Sequence, residues 1–233
     1  MLFSVLGQIH IDPIGTVITI MVFSASLIIA ITIHEFSHAL GAALLGDKTA
    51  KRLGRLTLHP LAHLDPIGTA MIMLAGFGWG KPTPVNQENL KPGPRPGMAI
   101  VALAGPISNV TASIIVSLPI NVGLIDNRYV GLYLFNGNFS NLVAYFAGSI
   151  VFWNLLLATF NLIPIAPLDG FKIVLGILPR NLANQFTKLE RYGPFLLLAI
   201  IMMGYIAPSL DMLPKMISPI LNAMLVLILG GQR

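Results

Sequence analysis

Long uncharged stretches divide the chain into apolar segments that are separated by short polar ones. No Asp, Glu, Lys or Arg occurs within residues 13–34, 96–125, 129–168, 192–210 or 216–232. An α-helix needs about 20 apolar residues to cross a hydrocarbon core that is ~30 Å thick. The pattern therefore predicts an all-α integral membrane protein, a polytopic helical bundle of about five to six membrane segments.

Turn-forming residues and polar runs set the expected bounds of these segments. Membrane-crossing helices are expected at 14–45, 98–122, 142–163, about 193–208 and 216–230. Residues 66–80 are apolar but short, and residues 169–178 are expected to form a half-helix. Prolines exclude a regular helix from residues 81–97, which leaves open a short re-entrant or β element at 66–97.

The composition supports a membrane protein and removes several other classes. Charged residues make up 10% of the 233 positions, whereas an ordinary soluble domain has about 25%. This shortfall excludes a disordered chain and a nucleic-acid partner, although the formal net charge is +5. The absence of cysteine excludes disulfides, thiol catalysis and Cys-ligated metal sites. We expect one membrane-embedded domain, 1–233, with a core at about 14–178 and C-terminal helices at about 193–230.

The positions of Lys and Arg predict an orientation, because basic residues concentrate on the cytoplasmic side of membrane proteins. If the first helix ends in the cytoplasm and residues 66–80 do not cross, only Arg128 and Lys215 lie outside. The other basic residues then share the inner side: Lys48, Lys51, Arg52, Arg55, Lys81, Lys91, Arg95, Lys172, Arg180, Lys188, Arg191 and Arg233.

Three ionisable residues interrupt the apolar character of the first helix: His34, Glu35 and His38. Such groups are costly within a membrane and are functional candidates by default. The two histidines are four residues apart, so they lie on one helix face and can converge on one cation. This HExxH spacing is typical of two zinc ligands with a glutamate general base. The alternative is that the three groups hydrogen-bond each other or neighbouring helices.

A further acidic residue, Asp169, ends the uncharged stretch 129–168 and is a candidate third ligand. Pro164 and Pro167 should break the preceding helix, and Gly170 allows a tight backbone. Non-helical backbone within a membrane persists only where it is buried in protein or lines a wet cavity. Asp169 is also a good N-cap for a half-helix, and the two roles are compatible.

Two of these motifs together resemble the site-2 protease family of intramembrane zinc metalloproteases. They are HEFSH at 34–38 and NLIPIAPLDG at 161–170. GPISN at 105–109 is similar to the family's small-residue element with an asparagine. Residues 54–69 and 78–86 resemble a compact subgroup that lacks PDZ and CBS domains.

The resemblance implies a zinc endopeptidase that holds one Zn²⁺ ion per chain and cleaves transmembrane-protein substrates in the lipid bilayer. It implies His34, His38 and Asp169 as the zinc ligands and Glu35 as the general base. It further implies that Asn109 and Asn161 hold the substrate backbone or the oxyanion. The expected location is the plasma membrane of a prokaryote, with the active site toward the cytoplasmic side.

Other features of the sequence leave different interpretations open. His63 and Asp65 are expected to form loop hydrogen bonds near the mouth of the cavity. The same three ligands would also suit a non-enzymatic zinc carrier or sensor. A proton-coupled transporter could use the same His and Glu residues, but no internal repeat typical of transporters is visible.

Overall fold

The computed structural model describes residues 10–75, 78–126 and 139–230. Within these ranges the chain forms α-helices joined by turns and short 3-10 helices, and it forms no strand. The α-helices are α1 (Pro13–Leu44), α2 (Thr49–Arg52), α3 (Pro66–Ala75), α4 (Pro94–Asn121), α5 (Phe139–Asn161), α6 (Asp169–Ile177), α7 (Arg180–Thr187), α8 (Gly193–Ile206) and α9 (Met212–Ile228).

Four stretches of the described chain are long and apolar enough to cross a membrane: α1, α4, α5 and the stretch Arg180–Ile206 that contains α7 and α8. The apolar helix α9 is shorter, with 17 residues. The predicted all-α polytopic membrane protein is therefore confirmed. The expected half-helix at 169–178 also forms, as α6.

Helix α1 begins and ends at residues with suitable local chemistry. The Asp12 carboxylate accepts a hydrogen bond from the backbone N–H of Gly15 over 2.9 Å, and Pro13 occupies the first helical position. Both are favourable at a helix N-terminus. After Leu44 the chain turns at Gly46, whose φ of +108° suits glycine because it has no Cβ.

Helices α1 and α4 are antiparallel and pack against each other. The backbone N–H of Lys91, just before α4, donates to the backbone oxygen of Leu45, just after α1, over 2.8 Å. Ala42, Leu90 and Val101 form a buried cluster at this end. A second cluster joins α5 to α9 and includes Val151, Leu155 and Leu221 among its buried members.

Helix α3 does not cross the membrane as a helix. Its ten residues span ~15 Å, which is half of the hydrocarbon thickness. Instead of a β element, the described part of 66–97 makes one isolated antiparallel bridge, between Leu64 and Gly80. Residues 76–77 lie outside the described ranges.

A buried carboxylate fixes the loops next to the end of α1. Asp47 accepts hydrogen bonds from the hydroxyl of Thr49 over 2.6 Å, the side chain of Asn89 over 3.0 Å and the backbone N–H of Asn86 over 2.8 Å. Burial alone would raise the pKa of Asp47, but these donors favour the charged form and lower the pKa below its usual value. The carboxylate therefore ties the loop at 86–89 to the bundle.

The direction of the last helix differs from the one expected. The predicted placement of Lys215 outside and Arg233 inside implies that residues 216–230 return to the side on which α1 ends. In the structure the side-chain amide of Asn121 donates to the backbone oxygen of Ile228 over 2.8 Å, so α9 ends beside the end of α4. This is the opposite side of the bundle. Arg128 and Arg233, which that topology put on opposite sides, lie outside the described residues.

Candidate metal centre

Three side chains that are distant in sequence meet in the middle of the bundle. The Nε2 atoms of His34 and His38 lie 3.0 Å and 3.1 Å from the Oδ2 atom of Asp169. One potential ligand atom from each of the three residues lies within 4.8 Å of the other two, and all three residues are buried. The structure thus brings together the residues that the sequence predicted as ligands.

The local fold of two segments explains this convergence. His34 and His38 are one turn apart on α1, and their rings are nearly perpendicular with centroids separated by 4.6 Å. Asp169 is the first residue of α6, directly after a non-helical connection from α5. Gly170 packs against the backbone oxygens of Leu162 and Ile163, so a side chain at this position would push α6 away from the connection that follows α5.

The protonation pattern of the histidines tests whether a cation fits between the three ligands. The Nδ1 atom of His34 lies 2.6 Å from Oδ1 of Asn109, and that of His38 lies 2.7 Å from the backbone oxygen of Val101. Because both partners are acceptors, each Nδ1 carries a proton, and each ring directs its Nε2 atom toward the Asp169 carboxylate. Nε2 is therefore the ring atom that is left to bind a cation beside the carboxylate. The donor set, two imidazoles and one carboxylate, fits zinc.

The hydrogen bonds of Asn109 indicate another role than the substrate or oxyanion contact that the resemblance implies. Its side-chain nitrogen donates to the backbone oxygen of Ala30 over 3.0 Å and to Oδ1 of Asn154 over 2.7 Å. Its oxygen faces His34, and the residue is fully buried. Both amide hydrogens are therefore used within the bundle, so neither remains for an oxyanion. In this structure Asn109 orients the His34 ring from behind, as partners of metal-binding histidines commonly do.

Helix α4 approaches the two imidazoles closely at Gly105. A Cβ atom at this position would lie 2.6 Å from Cε1 of His34 and 2.6 Å from Nε2 of His38. Such distances are well below van der Waals contact, so only glycine lets α4 cover the rings without displacing them.

The candidate ligands open onto a cavity of about 700 Å³. His34, Glu35, Asn161 and Asp169 line it together with mostly apolar residues of α1, α5, α8 and α9. Asn161 donates one amide hydrogen to the backbone oxygen of Leu157 over 3.0 Å. The cavity therefore combines a polar end, where the candidate ligands lie, with a long apolar wall.

His63 and Asp65 do not line this cavity. The Nε2 atom of His63 lies 2.7 Å from the backbone oxygen of Thr57, and the carboxylate of Asp65 accepts from the backbone N–H of Gly68 over 2.7 Å. Both side chains make the loop hydrogen bonds that the sequence predicted.

Comparison with known proteins agrees with this chemistry. The chain is 39% identical over 181 residues to "Putative zinc metalloprotease YwhC" of Bacillus subtilis, and the match covers 77% of this chain and 80% of that protein. It is 26% identical over 207 residues to "Putative zinc metalloprotease Rip2" of Mycolicibacterium smegmatis, with 86% and 73% covered. The chain belongs to the site-2 protease-like family of zinc metalloproteases. No family model matches the chain, and no solved structure matches it.

One residue of this site-2 protease-like centre was not predicted from the sequence. Thr83 donates from its backbone N–H to Oε2 of Glu35 over 2.9 Å, and from its hydroxyl to the same oxygen over 2.7 Å. The two residues are 48 positions apart. The available signal was the alternation of proline and polar residues in KPTP at 81–84, which is too short to specify a partner.

Proposed function

We propose that this protein is an intramembrane zinc metalloendopeptidase, which hydrolyses peptide bonds within or near transmembrane segments of other membrane proteins. The observation that carries the proposal is the meeting of His34, His38 and Asp169 beside Glu35 at the polar end of one cavity. Three protein ligands are typical of catalytic zinc sites, in which a further coordination position stays open. Family membership favours zinc over other divalent cations.

In this proposal the chain supplies a general base and an oxyanion donor. A bound zinc ion would act as a Lewis acid toward water and the scissile carbonyl. Glu35 takes the proton of the attacking water and passes it to the nitrogen of the leaving amine. Asn161 has a second amide hydrogen besides the one bonded to Leu157, and this hydrogen is available to the developing oxyanion.

The shape of the cavity supports a transmembrane segment as the substrate. Its apolar wall suits hydrophobic side chains, and its lining reaches the exposed residues Trp79 and Pro82 at the surface. Water needed for hydrolysis would come from that side, because lipid supplies none.

Contacts among the basic segments support placing this side in the cytoplasm. The guanidinium group of Arg55 donates to the backbone oxygen of Lys81, and that of Arg95 donates to the backbone oxygen of Leu178 over 2.6 Å. These bonds gather the basic segments at 48–55, 81–95 and 172–180 at one end of the bundle. Such an end is typically cytoplasmic.

Substitution of Glu35 by Gln tests the proposed reaction. We expect cleavage to be lost while zinc remains bound, because glutamine keeps the shape of the side chain but cannot accept a proton. Loss of a general base typically costs about 10²–10⁴-fold in rate. The measurement combines zinc content of the purified protein with cleavage of a set of single-span reporter peptides in liposomes.

Substitution of the exposed Glu88 by Gln is the matched control, since it removes the same charge outside the cavity. Turnover by the Glu35→Gln variant at the rate of the Glu88→Gln variant would refute the assigned base. If neither variant cleaves the reporters and both transfer zinc between vesicles at the same rate, the protein is a zinc carrier.

A further inference from the structure

The segment at residues 80–85, which we call the strap, crosses the cavity next to the candidate base. Gly80, Pro82, Thr83 and Val85 all line the cavity that contains Glu35. Each proline fixes its own φ and restricts the preceding residue to extended conformations. Proline also lacks an N–H group, so Thr83 carries the one backbone donor between positions 82 and 84.

The strap is attached to the rest of the protein on both sides of Thr83. On one side, the backbone N–H of Lys81 donates to the backbone oxygen of His63 over 2.8 Å. The buried guanidinium group of Arg55 also donates to the backbone oxygens of Lys81 and Pro82. On the other side, the backbone N–H of Asn86 donates to the carboxylate of Asp47, as described above. These attachments fix the path of Thr83 independently of its contact with Glu35.

Both hydrogen-bond donors of Thr83 bond to Glu35. The backbone N–H and the hydroxyl both reach Oε2 of Glu35, at 2.9 Å and 2.7 Å. The hydroxyl is also 3.0 Å from the backbone oxygen of Glu35. Oε1 takes neither of these bonds. Two donors on one carboxylate oxygen hold the side chain in one orientation, because a hydrogen bond to a charged group is stronger than one between neutral groups.

We propose that Thr83 is a positioning residue, which holds the Glu35 carboxylate in the cavity beside the three candidate metal ligands. The inference rests on the proposed function, because it assigns Thr83 a role through the candidate base. Thr83 does not act on the substrate itself. It removes the rotational freedom of a glutamate side chain that would otherwise turn away from the cavity.

Two substitutions separate this role from simple packing. Thr83→Val keeps the shape of the side chain and removes the hydroxyl, whereas Thr83→Ser keeps the hydroxyl and removes the methyl group. The probe is benzohydroxamic acid, which gives its hydroxyl proton to a neighbouring base and, as benzohydroxamate, binds a metal through two oxygens. We expect Thr83→Val to weaken its binding to the zinc-loaded protein roughly tenfold, and Thr83→Ser to bind within about twofold of the wild type.

The zinc content of each variant shows whether the ligands themselves are intact, and it should not change. Thr111→Val is the matched control, because the Thr111 hydroxyl bonds to the backbone oxygen of Ile107 on the exposed side of α4. A packing role predicts the reverse order, with weak binding by Thr83→Ser and normal binding by Thr83→Val. That order, or equal binding by Thr83→Val and Thr111→Val, would overturn the inference.

A parallel measurement with Glu35→Gln distinguishes this inference from the proposed function. If Glu35→Gln weakens benzohydroxamate binding but Thr83→Val does not, Glu35 is the base and the role of Thr83 is refuted. If Glu35→Gln has no effect, or if the zinc-loaded wild type binds no benzohydroxamate, both proposals are refuted. Weakening by both substitutions, with zinc content unchanged, supports both.

Discussion

At the scale of single residues, the orientation of His34 depends on a chain of buried amides. The side-chain oxygen of Asn109 accepts a hydrogen bond from Nδ1 of His34, and its side-chain nitrogen donates to Oδ1 of Asn154. The side-chain nitrogen of Asn154 donates in turn to the backbone oxygen of Ile150 over 2.8 Å. This series of hydrogen bonds fixes which way the Asn109 amide faces. It therefore fixes which nitrogen of His34 is free to bind a metal.

Replacing Asn109 by Leu should lower the affinity for zinc by about 10- to 100-fold, because His34 loses the acceptor that orients it. Competition with a chromogenic chelator measures this affinity in detergent. Asn121→Leu makes the same chemical change at the end of α4, away from the ligands. If both variants bind zinc equally well, Asn109 does not orient His34.

The candidate ligands could be predicted from the sequence because each lies in a local pattern. The HEFSH spacing places two histidines on one face of α1, and the prolines before Asp169 end the preceding helix. The partners of these residues could not be predicted. Thr83 reaches Glu35 across 48 positions, and Asn109 reaches His34 across 75, so both contacts depend on how the helices pack.

At the scale of elements, the short helix α6 carries one ligand and is held at its other end by Arg95. The guanidinium group donates to the backbone oxygens of Leu175 and Leu178 over 2.9 Å and 2.6 Å. Gly176 packs against Ala99 one turn further along α4, which brings the two helices into close contact. Arg95 thus limits the movement of Asp169 from the far end of its helix.

Replacing Arg95 by Met should destabilise the protein by about 1.5–3 kcal/mol, because the last carbonyl groups of α6 lose a charged donor. Thermal unfolding in detergent, with and without added zinc, measures the loss. Arg52→Met serves as the control, since Arg52 is exposed on α2. Equal unfolding temperatures for the two variants would show that Arg95 does not hold α6.

The bounds of most helices were predictable within a few residues, but the direction of α9 was not. Prolines and capping groups near the helix ends are visible in the sequence. The predicted direction of α9 assumes that the helix expected at about 193–208 crosses the whole membrane. Helix α8 has 14 residues and spans ~21 Å, so it reaches across the ~30 Å hydrocarbon core only together with the preceding stretch from Arg180. Hydropathy alone does not show this difference.

At the scale of the whole molecule, a metal ion at this centre would join segments that are distant in the chain. His34 and Asp169 are 135 positions apart, on α1 and α6. An ion that binds the folded state and not the unfolded state stabilises the fold by mass action.

Removal of zinc by a chelator should therefore lower the unfolding temperature of the wild type. At a free zinc concentration of 100 times Kd, bound zinc contributes about 2.7 kcal/mol. Asp169→Ala should lose this dependence on zinc, while Asp211→Ala, in the same cavity but outside the ligand group, should keep it. A wild type that unfolds at the same temperature with and without chelator would contradict a zinc site.

Because of its two prolines, the attachment of the strap to α1 can be measured by hydrogen exchange at a single amide. A peptide that spans residues 82–84 has one amide hydrogen, that of Thr83, which is able to exchange with deuterated solvent. Exchange at this amide requires its bond to Glu35 to break. The rate at which this peptide takes up a single deuterium thus reports how often the strap separates from Glu35.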